Sequence, residues 1–165
     1  MIKHYRIHEV SGYIDWIYFF HAWGFSPRKT QTPEAMQLLQ EAKEILELLD
    51  KNLQTHAVLR LMDANSEEND IWIEGTRFPF LRQQTAKEEE PYLCLSDFIR
   101  PSSCKITDKI GLFATTVDAE MEQLYTEDPY LHMLVKTLAD RLAEATAEKT
   151  HDTIRKEFQG IRPAV

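Results

Sequence analysis

His56 to Glu74 reads HAVLRLMDANSEENDIWIE. A short apolar run, a polar Asn65 to Asp70 stretch and a second run through Ile71, Trp72 and Ile73 predict two strands joined by a turn. Phe78 to Gln83 reads as a third strand, which Pro79 confines to an edge or a bend. Leu93 to Ile99 and Lys109 to Val117 read as further extended segments. Helical periods flank this region on both sides. Upstream, Thr32 caps a helix with Pro33 at its first position, running to about Asp50. Its apolar positions are Met36, Leu39, Ala42, Leu46 and Leu49, while Glu41, Glu44 and Glu47 face outward, so it carries no chemistry. Earlier still, Tyr13 to Phe25 places Trp16, Phe19, Phe20 and Trp23 at i, i+3, i+4 and i+7. Downstream the chain turns helical from about Ala119, breaks near Asp128-Pro129 and continues as one long helix from Tyr130 to Phe158. Leu134, Leu138, Leu142 and Ala145 give that helix its apolar face. Short antiparallel strands between helices predict an α+β fold with a small antiparallel sheet packed against long helices. With no repeat or low-complexity linker, residues 1–165 read as a single domain.

The composition suits a folded, water-facing chain. Of 165 residues, 43% are hydrophobic and 28% charged, which excludes a mainly disordered chain. The net charge of -8 repels phosphate backbones and anionic membrane surfaces, so neither nucleic acid nor membrane is an expected partner. No run approaches the ~20 apolar residues of a membrane-spanning helix, and the first residues lack a signal-peptide core. A cytoplasmic location is expected. Cys94 and Cys104 lie without a CxxC pair or a completing His cluster and read as reduced thiols.

The glycines at 12, 24, 75, 111 and 160 are too scattered for a phosphate-binding loop, and no GxSxG elbow is present. Glu148 and His151 form one E-x-x-H pair. Bundled di-iron sites need a matching pair from another helix and none occurs, so no metal is expected. Two acidic positions remain open to either of two readings. Glu144, Glu148, His151 and Arg155 stack along one side of the last helix, as a solvated face or as part of a site. Asp15 is the only formal charge between Tyr13 and Phe25, and either favours the helix dipole or receives a cation against the aromatics.

Five segments in order carry a resemblance: YIDWIYFF at 13–20, LRQQ at 81–84, YLCLSDFIRP at 92–101, DKIGLFATT at 108–116, and LADRLAEATAEKTH at 138–151 with GIRPA at 160–164. Together the chain resembles the reactivation domain of cobalamin-dependent methionine synthase, over nearly its whole length from Tyr13. The resemblance implies a domain that binds S-adenosylmethionine and presents its methyl group to cob(II)alamin on a partner chain, while flavodoxin or an equivalent donor supplies an electron. Carried over position by position, the ligand-binding residues it implies are Asp15, Glu144 and Arg162, with backbone groups of Pro163 and Ala164 nearby. Their chemistry is complementary to that ligand. Two carboxylates suit an ammonium and a sulfonium, and an arginine fork suits a carboxylate.

The family pattern continues past Arg-Pro-Ala into a Gly-Tyr-Pro turn and a tyrosine-containing stretch, whereas this sequence ends at Val165. A C-terminally shortened form is therefore expected. The chain also lacks an Asp-x-His-x-x-Gly cobalamin-binding pattern and any homocysteine or folate module, so the expected role is a reactivation subunit acting in trans. Its expected partner is a cobalamin-binding methionine synthase chain, and apolar surface left uncovered favours docking to it or formation of a homo-oligomer. The competing expectation is a non-catalytic binding or scaffold protein that keeps the fold without the ligand site.

Overall fold

The computed structural model describes residues 1–85 and 90–157. In chain order, β1 (Ile2–Arg6) leads through one helical turn, α1 (Ile7–Val10), and a 3-10 turn at Ser11–Tyr13 into α2 (Trp16–Ala22). Another 3-10 turn at Pro27–Lys29 precedes α3 (Pro33–Leu49), after which come β2 (Gln54–Glu67), β3 (Asp70–Ile73) and β4 (Thr76–Pro79). Two 3-10 turns, Leu95–Phe98 and Ser102–Cys104, lead to β5 (Asp108–Val117), a 3-10 turn at Ala119–Gln123 and the 29-residue α4 (Pro129–Glu157). The architecture is α+β. The five-stranded sheet has the order β1-β2-β3-β4, with β5 also paired to β2.

Local chemistry sets the element ends. Asp15 caps α2 by accepting the Ile17 N–H at 2.8 Å. The helix then stops at a left-handed Gly24, with Phe25 N–H bonded to Phe20 O and Gly24 N–H to His21 O, both at 3.0 Å. This is a Schellman closure, and it makes the helix shorter than the expected 13–25. Thr32 Oγ1 accepts the Ala35 N–H at 3.3 Å and Pro33 occupies the first turn of α3, as the sequence predicts. Asp128 Oδ1 accepts from both Tyr130 and Leu131 N–H at the start of α4.

The strands depart further from expectation. β1 was not anticipated; it pairs antiparallel with β2 from Ile2↔Val58 to Arg6↔Gln54. β2 does not end before Asn65 but runs on to Glu67, because its polar residues find partners. Ser66 donates its N–H to Arg100 O and its hydroxyl to Ile99 O, and the Asn65 amide donates to Arg100 O and Ile106 O. The turn shrinks to Glu68-Asn69, between the paired Glu67 and Asp70. A second hairpin turns at Glu74-Gly75, both at positive φ (46° and 82°), the backbone of a type I′ turn. It fixes β4 at Thr76–Pro79 rather than 78–83. The expected extended segment at 93–99 is instead a 3-10 turn, whose Asp97 carboxylate accepts the Cys94 N–H at 2.8 Å.

Two compact units divide the chain, one formed by residues 1–58 with the chain from 113, the other by 59–112. In the first, Leu134, Val135, Leu138, Leu142 and Ala145 of α4 are buried together with Ile7, Val10, Phe19 and Phe20. The face expected from α4 is the face it buries. On α3 the buried stripe is Ala35, Leu38, Ala42, Ile45, Leu46 and Leu49, whereas Met36 is 50% exposed, so the stripe is rotated from the one expected. Glu41 is also not idle: it accepts the Tyr130 hydroxyl. Burial first, then this carboxylate, push the Tyr130 phenol up to about 12. In the second unit the buried cluster is Ala64, Ile71 and Ile73, with Met62, Phe80, Ile99 and Ile110 against it.

Candidate functional site

α2 and α4 are in contact in the first unit, and of the two acidic residues singled out in the sequence Asp15 caps α2 and Glu144 lies on α4. Asp15 is exposed at the N-terminus of α2, one oxygen committed to the Ile17 N–H. Tyr18, one turn along the same helix, is 60% exposed and lies under the Arg141 guanidinium, 5.9 Å from ring centre to Cζ. Arg141 also pairs with Glu144, three residues on, whose side chain is exposed. The sequence of contacts from α2 to α4 thus runs through Tyr18 and Arg141 to Glu144. Arg162, Pro163 and Ala164 lie outside the described residues.

Sequence reasoning missed Tyr18 and Arg141, although the i, i+3 spacing of Arg141 and Glu144 was a visible signal. The line Glu144, Glu148, His151, Arg155 is contacted unevenly: Glu144 pairs with Arg141. Of these, Glu148 has no hydrogen bond or ion pair among the described residues, and His151 lies beside the Phe113 ring at 6.5 Å. Off that line, Lys149, Asp152 and Lys156 reach the two tyrosines that precede α2 or one another. Lys149 Nζ sits 5.4 Å from the Tyr5 ring centre and 5.7 Å from that of Tyr13. Tyr13 donates its hydroxyl to Asp152 Oδ2 at 3.1 Å, and Lys156 donates to the same oxygen at 2.6 Å. The Lys156 bond, then that of Tyr13, lowers the Asp152 carboxyl, and the bond to Asp152 raises the Tyr13 phenol. Two cations of α4 thus lie against aromatic rings of other segments, Arg141 on Tyr18 and Lys149 on Tyr5 and Tyr13.

A second polar group spans β1 and β2. His56 Nε2 lies 2.6 Å from Asp118 Oδ1, and its Nδ1 lies 2.6 Å from Nδ1 of His4, its cross-strand partner. A carboxylate only accepts, so Nε2 carries a proton, and Nδ1 of a neutral His56 accepts from His4. Burial alone would raise the Asp118 carboxyl, but the bonds from His56 and from the Gln54 N–H at 2.7 Å outweigh it and hold the group low. His4 is exposed and His56 half-buried. Their array joins strands and leaves little freedom for chemistry. Among the described residues no three His, Cys, Asp or Glu side chains are grouped to hold a metal ion, and no helix is long and apolar enough to cross a membrane.

Comparison with solved structures finds a crystal structure of the MetH reactivation domain bound to AdoHcy, 34% identical with a TM-score of 0.84. The match covers 94% of this chain and 55% of that one, so this chain spans about half the length of that relative. Residues 6–164 match the family model described as vitamin B12 dependent methionine synthase, activation domain. The chain belongs to the activation domain family of vitamin B12 dependent methionine synthase.

Proposed function

We propose that the chain is an S-adenosylmethionine-binding reactivation module, working as one functional unit in the cytoplasm, that serves cobalamin on a separate methionine synthase chain. The observation that carries this reading is the 34% identical relative bound to AdoHcy, the ligand's form after loss of its methyl group. Two features of the surface suit a cationic ligand: Asp15 has one carboxylate oxygen uncommitted, and the exposed Glu144 already holds a cation, Arg141, which also lies over the Tyr18 ring and which a ligand would displace. Asp15 and Glu144 would hold the ammonium and sulfonium end, Arg162 the carboxylate, and the backbone at Pro163 and Ala164 would complete the contact. Arg141 is a positioning residue that restrains Glu144. When bound, S-adenosylmethionine would supply a methyl group for cobalamin, with flavodoxin or another donor providing the electron. Docking to the cobalamin-bearing chain, or self-association in its absence, belongs to the same proposal.

Calorimetry with S-adenosylmethionine and with AdoHcy tests it. Saturable binding is expected, weakened roughly tenfold or more by Glu144→Gln, Asp15→Asn or Arg162→Ala, since each truncates one side of a charge pair. Glu144→Gln keeps the shape and removes only the charge. No binding of either ligand by the folded chain would sink the proposal and leave a non-catalytic scaffold.

A further inference from the structure

We propose that a cleft between α1 and α3 binds a free α-amino acid with an aliphatic side chain. The cleft has a volume of about 330 Å³, at the small end of the range for ligand pockets. Ile7 and Leu46, 1% and 6% exposed, and the Trp16 indole give it an apolar lining. This lining is held in place: Trp16 packs edge-on to the buried Phe19 at 5.3 Å. One wall is a polar lock, since Asp50 accepts from both the His8 N–H at 3.0 Å and His8 Nδ1 at 2.9 Å.

Lys43 and Glu47 stand apart from that lock. They also line the cleft, four residues apart on one face of α3, and neither has a hydrogen bond or ion pair among the described residues. An unpaired ammonium and an unpaired carboxylate, one helical turn apart over an apolar floor, match the two charges that an α-amino acid carries on a single carbon. Lys43 takes the ligand carboxylate, Glu47 takes its ammonium, and the aliphatic side chain rests on Ile7, Leu46 and Trp16. The site uses none of Asp15, Glu144 or Arg162, and the inference does not rest on the function proposed above.

Titration with L-leucine, followed by calorimetry and by Trp fluorescence, tests it. Saturable binding at millimolar or lower concentration is expected, and L-leucinamide and N-acetyl-L-leucine, each lacking one charge, should bind at least tenfold more weakly. Lys43→Ala should weaken leucine but leave leucinamide unchanged, whereas Glu47→Ala should weaken leucine and leave N-acetyl-leucine unchanged. Both side chains are exposed, so circular dichroism of the variants should match the parent. No saturation by leucine, or binding indifferent to both substitutions, would overturn the proposal. Binding lost with Asp15→Asn but kept with Lys43→Ala would overturn it too, by assigning leucine to the other surface.

Discussion

On α4, Leu134, Val135, Leu138 and Leu142 have no exposed surface, and they belong to an apolar cluster that draws on β1, three further helices and β2. The 59–112 unit buries only Ala64, Ile71 and Ile73 in its cluster, and its segments are tied by polar groups instead. Arg82 alone reaches Asp97 through two bonds of 2.7 Å, Tyr92 O at 2.6 Å and Asn69 Oδ1 at 3.0 Å. Asp108 accepts the Arg100 N–H at 2.9 Å, and Ser96 donates to Glu68 O at 2.9 Å. One unit is stabilised by area removed from water, which is insensitive to pH. The other relies on directional bonds, several of them charged and exposed, which pH can remove.

The largest effect that would sharpen this contrast is a cavity in the first unit. Leu138→Ala removes a fully buried side chain and should destabilise the protein by about 2–5 kcal/mol, the range for large-to-small changes in a packed core. Chemical denaturation measures it. A loss below about 1 kcal/mol would mean that the site collapses and that α4 is not the centre of the core.

A smaller effect concerns a buried polar pair within that apolar unit. Thr146 Oγ1 lies 2.7 Å from both Leu142 O and Thr55 Oγ1. Having one proton, it donates to the carbonyl and accepts from Thr55. Thr146→Val therefore strands the Thr55 hydroxyl in the interior and should cost about 1–3 kcal/mol. Replacing both threonines by valine should recover most of the loss, because no donor is left unpaired. A double variant as unstable as the sum of the singles would show that the hydroxyls contribute more than mutual satisfaction.

The same contrast explains what was legible in the sequence. The α4 face, the Thr32-Pro33 start of α3 and the aromatic stripe of α2 rest on residues within a few positions of one another, where helical spacing alone decides the outcome. β1 is not visible in the sequence because IKHYR has a single buried residue, Tyr5, and its partner strand lies some fifty residues away. β2 continues through Asn65 and Ser66 because the Ile99, Arg100 and Ile106 carbonyls accept their hydrogen bonds, a non-local satisfaction that no local polarity scale contains. The candidate site divides in the same way. Asp15 and Glu144 came from the family resemblance, while the Tyr18–Arg141 contact between helices required the fold.

The smallest expected effect is local and belongs to the polar unit. Asp97 accepts two bonds from Arg82 and one from the Cys94 N–H, and these hold its carboxyl at about 2. An unfolded aspartate titrates near 4. Because the folded value is the lower one, the stabilisation is fully present above pH ~4 and is lost as pH falls through about 2. Both side chains are about one-third exposed, so solvent screens the pair and the global midpoint should move little. Local opening should register it instead. Amide exchange at residues 93–98 should accelerate between pH ~4 and ~2, beyond the intrinsic pH dependence of exchange, while amides in the middle of α4 keep their protection. Asp97→Asn should produce the faster exchange already at neutral pH and abolish the acid-dependent step, since the remaining amide can accept one bond from Arg82 but carries no charge to titrate. Arg82→Lys should fall between the two, because an ammonium cannot span both carboxylate oxygens. If α4 loses protection in step with residues 93–98, the distinction between a unit tied by charge and a unit held by burial fails.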